Sequence, residues 1–179
     1  MEKNTTAGWK ELLLVLCAVA ILSVADQWTK GLIETRMTLH QSVNVLPGFF
    51  DIVYIRNRGA AFGIMAGVDS AWVGRGFTLF TLFALVALAG LYRGFPPGER
   101  LGRAAITMIA SGAVGNLWDR LEHGSVTDFL LFYIGKYQWP AFNLADSLIT
   151  TGVVLLAYSL IFHMPPADPQ TPAEAGDQA

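Results

Sequence analysis

The sequence predicts an all-α membrane protein: four transmembrane helices, with a small extramembrane sheet inserted between the first two. Three observations predict it. Apolar residues lie in four blocks, each about as long as a bilayer is thick. The 53% hydrophobic content would by itself hardly distinguish the chain from a soluble domain, so it is the blocking that decides. Between the first and second blocks the pattern changes to turn formers and short alternating runs, and the polar residues interrupting the blocks gather, by parity, at one membrane face.

The spans are expected at about 9–30, 76–93, 101–120 and 141–163, in a single integral-membrane domain covering residues 1–163. Backbone groups in lipid must bond internally, which makes these blocks helices. The intervening sheet is expected over about 40–70, with Phe50-Asp51-Ile52-Val53-Tyr54-Ile55 reading as a strand by its β-branched and aromatic content, and Gly59, Gly63 and Gly67 as punctuation after it. The second block reads as scaffold: its hydroxyls, Thr78 and Thr81, can bond to their own helix backbone. The segment 164–179, rich in Pro, Ala, Asp and Glu, reads as a disordered tail. The first block also admits a reading as a cleaved signal peptide, with Lys3 and Lys10 as its basic region and Ser23-Val24-Ala25 as the cleavage site.

Consecutive spans alternate in direction. The end of the first helix, the end of the third and the start of the fourth therefore share a side with the segments 31–74 and 121–140. On that side stand Asp26, Lys30, Asn57, Gly59, Asn116, Asp119, Arg120, Asp128, Asn143 and Asp146. Lys3, Lys10, Arg93, Arg100 and Arg103 flank the spans on the opposite side and suggest that it is cytoplasmic, with both termini there. A charge at the centre of a span costs roughly 2.5–3.5 kcal/mol on insertion scales, so this polar cluster points to a task.

Several classes are disfavoured. A net charge of -2 gives no reason to expect nucleic acid as a partner. One cysteine excludes an internal disulfide, and Cys17 reads as a small buried hydrophobe. No HExxH helix occurs, His40, His123 and His163 are scattered, and no metal or cofactor is expected. Ser111 lacks the preceding glycine that a GxSG serine nucleophile would have. Asp128 and Asp146 are the carboxylates best placed for chemistry: two brought together share protons, giving a base for water and an acid for the leaving group in one site. Asp26 with Lys30 and the Asn116, Asp119, Arg120 face also fit a helix-end ion pair and a polar clamp. On residues alone, a small proton-conducting transporter and a membrane scaffold stay open.

Five segments in order then carry a resemblance. Asp26-Gln27-Trp28-Thr29-Lys30, Asn57-Arg58-Gly59-Ala60-Ala61-Phe62, Gly112-Ala113-Val114-Gly115-Asn116-Leu117-Trp118-Asp119-Arg120, Val126-Thr127-Asp128-Phe129 and Phe142-Asn143-Leu144-Ala145-Asp146 resemble the motifs of the bacterial lipoprotein signal peptidases, the type II signal peptidases. The resemblance implies an inner-membrane aspartic endopeptidase that cuts diacylglyceryl-modified prolipoproteins just before the lipidated cysteine. It implies Asp128 and Asp146 as the catalytic dyad and Asn57, Gly59, Asn116, Arg120 and Asn143 as positioning groups. Asp26, Lys30 and Asp119 are implied as supports, and the 31–74 segment as an extracytoplasmic β-cradle over a site near the periplasmic face. A monomer acting on lipid-held substrate without a cofactor is expected. Ser111 and Thr127 depart from the commonest pattern, the second standing where an aliphatic residue is usual before the first catalytic aspartate.

Overall fold

A computed structural model describes residues 5–59, 70–96 and 98–162. Its elements run α1 (Thr5–Arg36), β1 (Ser42–Leu46), β2 (Phe50–Asn57), α2 (Ser70–Gly94), α3 (Arg100–His123), β3 (Val126–Ile134), β4 (Tyr137–Gln138) and α4 (Leu144–Phe162). The expected tail, His163, and Gly63 and Gly67 lie outside the described residues.

The polarity of the molecule is inverted relative to a water-soluble fold. The largest fully buried side chains are Lys30, Asn143, Thr127, Asp26, Asp128, Ser111 and Ser159, all polar. Leu13, Leu14, Ile21, Phe80, Phe83, Val86, Val154 and Ile161 meanwhile face outward. Such an exterior is stable only against hydrocarbon. Cys17 follows this inversion and is exposed, so the expectation of a buried thiol fails. Along α1, Ser23, Asp26 and Lys30 are buried at helical spacing while Val24 and Trp28 between them are exposed.

Among the described residues, three helices are long and apolar enough to cross a membrane, Gly8–Arg36, Trp72–Gly94 and Leu144–Phe162. The fourth expected span, α3, has 24 residues but falls short in composition. Its place explains this. It packs against α4, α1 and α2, and its buried residues are small or polar: Gly102, Ala105, Thr107, Ser111, Gly112, Ala113, Gly115, Asn116 and Asp119 among them. Glycine sets how closely α3 and α4 approach. A Cβ at Gly112 would collide with the backbone oxygen of Ala145, and one at Gly152 would come within 2.8 Å of the backbone oxygen of Ala105. Ser111 is accommodated in its own helix by donating to Thr107 O at 2.7 Å. Thr78 and Thr81 bond to Gly74 O and Phe77 O one turn back, as expected.

The helix bounds differ from the sequence expectation. α1 continues past the apolar block to Arg36, so Asp26 and Lys30 lie inside it and do not end it. α4 starts at Leu144, leaving Asn143 just outside.

The sheet is larger than expected, and the description all-α understates it. Its four strands are antiparallel in the order β1-β2-β3-β4. Among the described residues, β1 and β2 come from the 40–70 segment, while β3 and β4 come from the connection between α3 and α4. In β2–β3 the register pairs Ile55 with Asp128, Arg56 with Thr127 and Asn57 with Val126, and shifts between Ile52 and Ile55. Beyond β4 the chain returns to β3. Phe142 N donates to Leu130 O at 3.0 Å, and Phe142 O accepts from Phe129 N at 3.0 Å and Leu130 N at 2.8 Å. That zipper carries the start of α4 to the side of Asp128.

Candidate active site

Lys30 is the hub of the polar interior. Its ammonium lies 2.7 Å from Asp26 Oδ2, 2.9 Å from Asp119 Oδ2 and 3.1 Å from Asn116 Oδ1, which occupies its three protons. The two carboxylates then reach outward: Asp26 Oδ1 accepts from Ala145 N at 2.9 Å, tying α1 to α4, and Asp119 Oδ2 accepts from Thr127 N at 3.1 Å, tying α3 to β3. Gln27 donates to Asp119 Oδ1 at 2.7 Å and to Gly115 O at 3.1 Å. Gly115 leaves the room this needs, since a Cβ there would lie 2.6 Å from Asp26 Oδ2. The expected helix-end ion pair is thus a buried clamp joining α1, α3, α4 and β3, with the amide of Asn116 as its fourth member.

Asn116 passes from this clamp to the next layer. Its Oδ1 faces Lys30, and its Nδ2 donates to Asp146 Oδ1 at 2.7 Å. Asp146 and Asn143 form the start of α4 reciprocally. Asn143 Oδ1 accepts from Asp146 N at 2.9 Å, and Asp146 Oδ2 accepts from Asn143 N at 3.3 Å, the geometry of a capping box with aspartate in the third position. The side-chain amide of Asn143 also donates to Asp128 Oδ1 at 2.8 Å. One buried residue therefore bonds to both carboxylates.

Asp128, 1% exposed, receives a second donor in Asn57 Nδ2, 2.9 Å from its Oδ2. Burial pushes its carboxyl up to about 7; the Asn57 hydrogen bond opposes the rise, the nearby Asp146 charge reinforces it, and the Asn143 bond and Lys30 oppose it. A carboxyl in this environment retains a proton near neutrality. Asn57 is itself held, its Oδ1 accepting from Gly59 N at 2.8 Å. Gly59 has φ +88 and a Cβ there would collide with Phe77, so glycine is required on both grounds. The Arg120 guanidinium lies over the Phe77 ring at 5.4 Å, with its Nη1 donating to Asn116 O at 3.2 Å; its charge acts on Asp146, Asp119 and Asp128.

The structure thus gathers all ten residues singled out in the sequence. Four it adds: Gln27, Thr127, Glu34 and Arg56. Gln27 and Thr127 stand inside quoted motifs, but no spacing rule marks them as partners of Asp119. Glu34 lies one helical turn beyond Lys30, a signal hidden by ending the helix at the apolar boundary. Among the described residues, no three His, Cys, Asp or Glu side chains group as a metal ion would need.

Comparison with known proteins fits this geometry. The family profile described as Signal peptidase (SPase) II matches residues 18–162. The chain belongs to the signal peptidase II family. This is a family of aspartic proteases. The lipoprotein signal peptidase of Syntrophotalea carbinolica is 46% identical over 144 residues, covering 80% of this chain and 88% of the relative. That of Desulforapulum autotrophicum is also 46% identical, over 157 residues, covering 86% and 96%. A solved bacterial membrane enzyme, determined in meso at 2.3 Å resolution, superposes with a TM-score of 0.70 at 32% identity, covering 87% of this chain and 93% of its own. A second, at 1.9 Å, gives 0.70 at 33% identity. As a member of the signal peptidase II family, the chain is a membrane protease, and its apolar helices with an antiparallel sheet are shared with those enzymes.

Proposed function

We propose that this signal peptidase II family member removes signal peptides from diacylglyceryl-modified prolipoproteins, cutting immediately before the lipidated cysteine, with Asp128 and Asp146 as its catalytic dyad. The observation that carries this reading is the double bond of Asn143, side-chain amide to Asp128 and backbone N–H to Asp146, which couples two carboxylates from separate elements in one site. The relatives named above are lipoprotein signal peptidases, which favours that substrate class.

In the proposed mechanism, Asp128 enters protonated, in keeping with a carboxyl raised to about 7, and Asp146 serves as the base. Asp146 takes a proton from water as the water oxygen attacks the scissile carbonyl carbon, and Asp128 gives its proton to the carbonyl oxygen. The resulting gem-diol collapses: Asp146 passes its proton to the leaving nitrogen, the C–N bond breaks, and Asp128 recovers a proton from the diol. Asn57, Asn116 and Asn143 hold the dyad through the donors described. Arg120 supplies positive charge beside it, Gly59 shapes the turn, and Asp26, Lys30 and Asp119 brace the helices.

α3 is the fourth span, sheltered from lipid by its neighbours. The termini lie in the cytoplasm, following the basic flanks Lys10, Arg93, Arg100 and Arg103. The dyad and sheet then lie at the periplasmic face of the inner membrane, where the bilayer holds the substrate's acyl chains beside a monomeric enzyme.

Separate Asp128→Asn and Asp146→Asn variants, assayed on purified diacylated prolipoprotein, test the dyad. Each should lose cleavage by a factor of about a thousand or more, and near-normal cleavage by either would overturn the assignment. Chelators should leave activity intact; a large loss would replace the dyad with metal chemistry.

A further inference from the structure

Glu34, near the end of α1, holds three groups from other elements. Its Oε1 accepts from Thr127 Oγ1 at 2.6 Å and lies 3.2 Å from Arg56 Nη2, and its Oε2 stands 3.7 Å from His123 Nε2. A 2.6 Å hydroxyl bond to a carboxylate is a strong, charge-assisted one. Thr127 is completely buried. Its other polar groups are also fixed, the N–H by Asp119 Oδ2 and the carbonyl by Asn143 Nδ2 at 3.3 Å. Side chains from α1, from α3 and from the residue just before α4 therefore pin one residue, and the next residue in the chain is Asp128.

The strand register explains why this matters. Arg56 and Thr127 are directly opposed across β2–β3, so their side chains share one face. Successive side chains alternate, so Asn57 and Asp128 share the other face. There they are diagonal neighbours joined by the 2.9 Å bond that holds the Asp128 carboxyl. Glu34 grips both rear side chains, and Asn57 and Asp128 meet at the front. A rotation of either strand about its own axis would break the rear contacts and swing the front carboxyl together.

We infer that Glu34 is a positioning residue for Asp128, a clasp that joins Arg56 to Thr127 behind β2–β3 and so fixes the Asp128 carboxyl between Asn57 and Asn143. Thr127 is the link that transmits it. The inference rests on the reading of Asp128 as half of the dyad. It implies that the Thr127 hydroxyl serves turnover, since displacing a reacting group by about 1 Å can slow a reaction by two orders of magnitude.

The test is a double-mutant cycle on the full chain, with kcat and KM measured on diacylated prolipoprotein. Thr127→Val, which keeps the shape and removes the hydroxyl, should lower kcat about tenfold and leave KM within about twofold. Thr127→Ser should recover to within about threefold of wild type. Glu34→Leu should match Thr127→Val, and the double variant should be no slower than either single one. Glu34→Gln, which weakens the charge-assisted bond without creating a void, should cost about threefold alone and nothing further in the Thr127→Val background. That pair completes the cycle if Glu34→Leu does not fold. Wild-type kcat in Thr127→Val, a loss confined to KM, failure of Thr127→Ser to recover, or additive losses would each overturn the clasp. If wild type cleaves and Asp128→Asn does not, such a result removes the clasp and leaves the dyad standing. Absence of cleavage by wild type removes the dyad reading, and the clasp with it.

Discussion

Asn57→Leu isolates the balance that sets the proton on Asp128. In the structure Asn57 Nδ2 donates to Asp128 Oδ2 at 2.9 Å, and this bond favours the charged carboxylate against the burial that disfavours it. A hydrogen bond to an ionised group contributes roughly 1.5–3 kcal/mol. At 1.36 kcal/mol per pH unit, its loss should raise the carboxyl by about 1–2 units, from about 7 to about 8–9. Leucine shares the branching of asparagine and has no donor, and its larger apolar end keeps water from replacing the lost bond. If Asp128 acts as the protonated member of the dyad, turnover must fall as pH rises through its titration. The alkaline limb of the kcat profile should therefore have its midpoint near 7 in wild type and move upward in Asn57→Leu. The assay is steady-state cleavage of diacylated prolipoprotein over about pH 5–10, with kcat fitted separately from KM. An alkaline midpoint that stays in place or moves downward would refute both the proton assignment and the role given to Asn57.

Two further outcomes concern stability. The folded Asp128 carboxyl, at about 7, is raised above its unfolded value of 3.8, so its contribution is fully present below about pH 4 and declines as pH rises towards 7. About 3 units correspond to a loss of about 4 kcal/mol, and thermal unfolding in detergent should show a falling melting temperature across that window that Asp128→Asn largely removes. Lys30→Met should destabilise by about 3–5 kcal/mol, because it leaves the Asp26 and Asp119 carboxylates buried together without their cation. Thermal unfolding of the two proteins in detergent at one pH measures this penalty, and an unchanged melting temperature would refute it.

The helices and the polar face were legible in the sequence because block length and parity are local or additive signals. The residues that the structure gathers around Lys30 and Asp128 were legible through motifs in order along the chain. β3 was not, for a physical reason. Its run Val126–Ile134 has no clear polar alternation, because Asp128 and Thr127 are both buried, one against Asn143 and one against Glu34. Its partner, β2, is also about seventy residues away, across two helices. Burial of polar groups on both faces leaves no period to read. The extension of α1 to Arg36 was hidden similarly, since apolarity ends where lipid ends but the helix continues to place Glu34. α3, expected as a span, falls short of one in composition, and its small and polar buried residues pack against the other helices.

The capping box at the start of α4 also bears on timing. Asp146 and Asn143 take up their mutual bonds only when α4 begins its first turn, and Asn143 is also the donor that holds Asp128. A chain that has released β3 but not yet α4 carries Asp128 without Asp146 and without one of its two amide donors. On the proposed dyad, hydrolytic competence would then arise only with insertion of the final helix.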